Sequence, residues 1–127
     1  MKKQILFIIG ILFSITVSGQ YFNKQSSGLK IKTHNLEWSK TWEYCNLGIL
    51  FNFDSDRITI DSREVQILDI EKYYDVENYI GYKVYVMQCN DTNYKKCIVR
   101  LFYYYDISDY KALHIEYSNI EYIYKLY

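Results

Sequence analysis

The sequence predicts an all-β protein with a minor helical share. The expected form is an antiparallel meander of seven to eight short strands, curled into a small barrel-like or sandwich domain behind an N-terminal signal peptide. Three observations predict it. The 127 residues include sixteen tyrosines, seventeen isoleucines, no proline and one alanine, Ala112. β-branched and aromatic side chains suit a pleated, half-buried surface, whereas alanine, the strongest helix former, is nearly missing. Apolar and polar residues alternate in short runs bounded by Asn, Asp, Ser and Gly, which is the period of a half-buried strand. The connections are mostly short, and short connections force antiparallel neighbours. A sheet that is apolar on one face must then curl or fold over to bury that face.

In chain order, Lys2 and Lys3 precede an apolar stretch, 5–17, interrupted by Gly10, Ser14 and Thr16. Val17-Ser18-Gly19 supplies a signal-peptidase site, so residues 1–19 read as a signal peptide and the mature N-terminus is expected near Gln20. The apolar stretch is shorter than the roughly 20 residues that span a bilayer. Residues 20–28, with Lys24-Gln25-Ser26-Ser27-Gly28, read as a flexible lead-in to a single β-rich domain, 29–127.

Within that domain, 29–34 alternates Leu29, Ile31 and Thr33 against Lys30, Lys32 and His34, the possible eighth strand. Residues 35–46 are ambiguous, because Trp38, Trp42 and Cys45 have helical spacing while Trp42 and Tyr44 suit a strand. Clearer strands follow at 48–53, 57–61 and 64–70, joined by Asp54-Ser55-Asp56 and Ser62-Arg63. Asp54-Ser55-Asp56 resembles the opening of a calcium loop. Thr59 and Val65 stand where such a loop needs glycine and glutamate, so a self-bonding hairpin turn is expected. Residues 71–81 read as a longer connection with one or two helical turns carrying Tyr73, Tyr74 and Tyr79. Residues 82–89 and 96–105 form the next hairpin, and 112–117 and 120–126 the last.

Fifteen Lys and Arg balance fifteen Asp and Glu. Loss of Lys2 and Lys3 with the signal would leave a charge of −2, no field for a phosphate backbone, and nucleic acid is excluded as a partner on that ground. No later apolar run is long enough for a membrane span. An outer-membrane barrel, prompted by the terminal Tyr127, fits poorly with short strands that carry outward charges.

Export permits disulfides, and Cys45, Cys89 and Cys97 are an odd number. Cys89 and Cys97 flank Asn90-Asp91-Thr92-Asn93. A register that opposes them also sets Met87 against Val99 and Tyr85 against Leu101, making them the disulfide candidates. A two-residue turn at Ser118-Asn119 pairs Tyr117 with Ile120, Ile115 with Tyr122 and Leu113 with Tyr124. The opposite face then gathers His114, Glu116 and Glu121, with the two glutamates directly opposed. These three are the weak metal candidates, against the plainer reading of a solvated charged face.

There is no GxSxG elbow, phosphate-cradling glycine loop or HExxH helix, and no cofactor is implied. The expected function is therefore a non-enzymatic binding domain in the periplasm or outside the cell. It would meet a protein or an envelope glycan through exposed tyrosines, with Tyr94, Tyr104 and Tyr110 as candidates. The alternatives are a lipocalin-like carrier of a small apolar ligand, which needs an interior void of roughly 300 Å³ or more, and an inhibitor or immunity-type protein against a hydrolase.

Overall fold

In a computed structural model, the described residues (21–32, 37–39, 41–62 and 64–127) form nine strands and no helix. These are β1 Tyr21–Lys32, β2 Glu43–Asn52, β3 Arg57–Asp61, β4 Gln66–Tyr73, β5 Glu77–Tyr79, β6 Tyr82–Asn90, β7 Lys96–Tyr104, β8 Asp109–Glu116 and β9 Glu121–Leu126. The expected signal segment, Gln20 and His34 lie outside the described residues. All pairings are antiparallel, in the order β4–β3–β2–β1–β9–β8–β7–β6–β5, and β4 also pairs with β6. Eight strands therefore close into a barrel, and β5 extends the β6 edge at one end.

Both expected hairpin registers are present. Tyr85 faces Leu101, Met87 faces Val99 and Cys89 faces Cys97. Glu116 faces Glu121, Ile115 faces Tyr122 and Leu113 faces Tyr124, and the Tyr117 amide bonds the Ile120 carbonyl at 2.9 Å. At the β2–β3 turn, Asn52 Oδ1 accepts the amides of Asp54 and Ser55 at 3.1 and 3.2 Å. The turn is thus held from its first corner by a side chain just ahead of Asp54-Ser55-Asp56.

Two expectations are corrected. The stretch read as a flexible lead-in is the body of β1, which pairs with β2 from Tyr21 and with β9 at Ser26 and Gly28. A register shift between Ser26 and Gly28 explains why alternation failed there. Phe22 and Ser26 turn inward on even numbers, Leu29 packs against the core on an odd one, and Ser27 absorbs the change. A bulge of this kind reverses the parity of a strand. Nor does residues' 71–81 expected helical turn form. Tyr73 pairs with Met87 and Glu77 with Val84, so the segment is extended on both sides of residues 74–76.

The interior is apolar and filled. Ile49, Phe51, Ile58, Ile60, Leu68, Val99, Leu101, Leu113 and Ile115 are all at most 2% exposed. One end is plugged by rings: Phe22 stacks on Phe51 at 4.7 Å and on Tyr110 at 4.8 Å, and Tyr103 meets Tyr110 edge-on at 5.2 Å. An eight-stranded barrel is just wide enough for its own side chains or for one small ligand, and here the buried side chains pack into one cluster. Charges stand on the outward positions: Arg57 and Asp69 pair at 2.9 Å and Arg100 and Glu116 at 2.7 Å. No helix among the described residues is long and apolar enough to cross a membrane.

Candidate functional site

The outer wall over β5, β6 and β7 carries an aromatic column that the core does not use. Tyr79 stacks on Tyr82 with centroids 4.9 Å apart, and Tyr82 stacks on Tyr104 at 5.3 Å. Phe102 lies 6.2 Å from Tyr82, on the same face. Alternation places these side chains outside, because Tyr85, Leu101 and Tyr103 turn inward on the same strands. The β5–β6 turn ends the column with a fully exposed Ile80 and with Gly81, whose φ of +88° admits glycine readily. The Tyr105 amide donates to the Gly81 carbonyl at 3.0 Å and its hydroxyl to Asn78 Oδ1 at 3.4 Å, tying the β7–β8 turn to this tip. Tyr79, Ile80, Tyr105 and Ile107 are all exposed, so the tip is a patch of apolar surface with hydroxyl edges.

The three expected tyrosines separate. Tyr104 belongs to the column. Tyr94 is 88% exposed but stands at the opposite end of β6 and β7, in a turn with φ +62°. Tyr110 is corrected to the interior: it packs on Phe22, Tyr85 and Tyr103 against the core, and burial raises its hydroxyl pKa. A bulge between Phe102 and Tyr103 produces the Tyr103–Tyr110 pairing that turns it inward, and that bulge is invisible to simple alternation.

His114, Glu116 and Glu121 do come together, but as part of a charge network. Glu116 is met by Arg100 Nη1 at 2.7 Å, and Glu121 by Lys32 Nζ at 3.2 Å and His114 Nε2 at 2.8 Å. His114 Nδ1 lies 3.3 Å from Arg100 Nη1. Arginine only donates, so Nδ1 accepts and Nε2 carries the proton given to Glu121. Burial tends to raise the Glu121 pKa, but the bonds from His114 and Lys32 outweigh it and lower the group. Arg100 and Lys32 thus supply the compensation that two opposed glutamates need. No group of three or more His, Cys, Asp or Glu among the described residues is arranged to hold a metal ion.

Cys89 and Cys97 oppose each other as expected, yet they and Cys45 are free thiols, which corrects the disulfide pairing. Both face the core and are packed there as small apolar groups. Burial pushes the Cys89 thiol up and raises Cys97 to about 11. At neutral pH they are protonated and weak as nucleophiles. The Tyr117 hydroxyl closes the thiol end of the barrel by donating to Asp91 Oδ2 at 3.0 Å. A shallow open depression of about 270 Å³, lined by Gln88, Lys96, Ile98, Glu116 and Ser118 among others, lies against the outside of the wall here.

No family model matches the chain, and no curated protein or solved structure is significantly similar to it.

Sequence reasoning did not find the aromatic column, although Tyr79, Tyr82 and Tyr104 were each legible as tyrosines. The sequence suggests a helical turn at Tyr79, and only the β5–β6 pairing sets it beside Tyr82. A Tyr-x-Gly-Tyr spacing around a two-residue turn, here Tyr79-Ile80-Gly81-Tyr82, was the available signal.

Proposed function

We propose that this chain is an exported, non-catalytic interaction domain that meets a protein partner through the column of Tyr79, Tyr82 and Tyr104 and its tip. The observation that carries the reading is the column itself. Three rings are stacked outside a core that is already filled, next to an exposed Ile80 and Ile107. Clustered exposed aromatic and aliphatic groups are typical of protein contact surfaces, where rigid tyrosines bury large area at small entropic cost. The rings lie face to face, so they offer edges and hydroxyls outward and leave few free faces for a sugar to stack on.

The packed interior, plugged by Phe22, Phe51 and Tyr110, speaks against a carrier that holds a ligand inside the barrel. Inhibition of a hydrolase is one form the same surface contact can take. Export rests on the apolar stretch 5–17 and the small residues before Gln20, and places the partner in the periplasm or outside the cell.

The test is retention from native envelope extract by immobilised wild type and by Tyr79→Ser/Ile80→Ser. A protein held by wild type and lost from the double variant, with unchanged thermal unfolding, supports the reading. Equal retention by both, or retention of polysaccharide alone, overturns it.

A further inference from the structure

The strands β1, β2 and β9 present a second outer surface, on which two lysines share one aromatic ring. Gly28 lies at its centre, paired with Tyr44 on one side and Lys125 on the other. Trp42 lies across this glycine, and a Cβ there would meet its Cε3 at 3.3 Å. Beside it Tyr44 is 83% exposed, and Trp42 itself is 41% exposed. Two ammonium groups lean over the Trp42 ring, Lys30 at 5.1 Å and Lys125 at 5.3 Å from its centroid. Neighbouring cations have carboxylate partners: Lys24 has Asp109, Lys32 has Glu121 and Arg100 has Glu116. Among the described residues, Lys30 and Lys125 have none.

From this arrangement we infer a binding site for an acidic carbohydrate, a sugar ring that carries a carboxylate. Each ammonium lies over the indole with no carboxylate partner among the described residues, and an anion beside either one gains a charge-assisted bond. The exposed Tyr44 ring supplies a flat face with a negative quadrupole, to which the polarised C–H groups of a pyranose face are attracted, while Trp42 holds the two lysines beside it. Gly28 keeps the floor low enough for Trp42 to lie flat across it. An acidic peptide would satisfy the lysines but would not use the open face of the Tyr44 ring. The site is on different strands from the column of Tyr79, Tyr82 and Tyr104 and does not depend on that reading.

The probe is a galacturonic acid trimer, titrated by calorimetry and by tryptophan fluorescence against the whole protein, with a neutral galactose trimer and inorganic phosphate as comparisons. The acidic trimer is expected to bind at least about tenfold tighter than the neutral one, a difference of about 1.4 kcal/mol. Binding should weaken at roughly physiological 0.15 M salt relative to low salt. Lys30→Gln/Lys125→Gln should lose about tenfold for the acidic trimer alone, and Tyr44→Ser should weaken both sugars. Tyr79→Ser should change neither. Equal binding of both trimers overturns the charge recognition. Phosphate binding as tight as the trimer overturns the sugar and leaves a simple anion site. No binding of the acidic trimer, or an unchanged affinity in the lysine variant, overturns the site altogether. The lysine variants, on the surface and away from the core, keep the test decisive if Trp42 substitutions fail to fold.

Discussion

Burial raises the Cys97 thiol from 9.0 to about 11, against a lowering bond from Tyr117 and with a further raise from Asp91. The folded state therefore prefers the neutral thiol. Its contribution to stability is complete below pH 9, the unfolded value, and is lost as pH rises through about 11. Chemical denaturation midpoints followed from neutral pH upward should hold level and then fall across that window, and Cys97→Ala should remove part of the fall. Thiol accessibility follows the same burial. Alkylation in denaturant without reductant should label all three cysteines, whereas the native protein should label Cys45 first, since it alone is only half-buried. A protected pair in denaturant would mean a disulfide and would contradict the structure. At Gly81, the positive φ has open space around it, so Gly81→Ala tests backbone strain without a clash. A loss of about 1 kcal/mol is expected, read from the unfolding midpoint.

At the scale of single elements, β8 and β9 oppose Glu116 to Glu121, and Arg100 from β7 and Lys32 from β1 relieve them. Arg100→Ala should cost about 0.5–1 kcal/mol at low salt and less as salt rises, measured by urea denaturation. The opposed glutamates were legible in the sequence because a two-residue turn fixes hairpin register locally. Their partners were not, since Lys32 arrives from a strand that only the β1–β9 pairing brings alongside, and the bulge between Phe102 and Tyr103 shifts the register that sets Arg100 beside His114. β1 was half legible for a related reason. Its second half alternates cleanly from Leu29, but the shift at Ser27 reverses the parity of Phe22, Lys24 and Ser26. Deleting 21–28 should therefore remove a strand that pairs with both β2 and β9, not a tail. Loss of cooperative thermal unfolding is expected in that deletion; a sharp transition at the original temperature would reject the pairing.

For the molecule as a whole, stability comes from a closed sheet wound round a filled interior. Phe51 is fully buried and stacked on Phe22, which in turn stacks on Tyr110. Phe51→Ala should cost about 3–5 kcal/mol, a large share of what a domain of this size has. Sequence patterning by itself determined that the protein is β-rich, which side chains alternate inward, and the registers of the 82–104 and 112–126 hairpins. Each of these depends on residues a few positions apart, where turn length and the two-residue period leave little freedom. Only the tertiary structure decided that β4 meets β6 and β1 meets β9, that Tyr110 lies inside while Tyr79, Tyr82 and Tyr104 form a column outside, and that Lys30 and Lys125 converge on Trp42. Those outcomes join distant parts of the chain, and a single bulge reverses which face a residue takes, so they follow from closing the sheet and not from any local pattern.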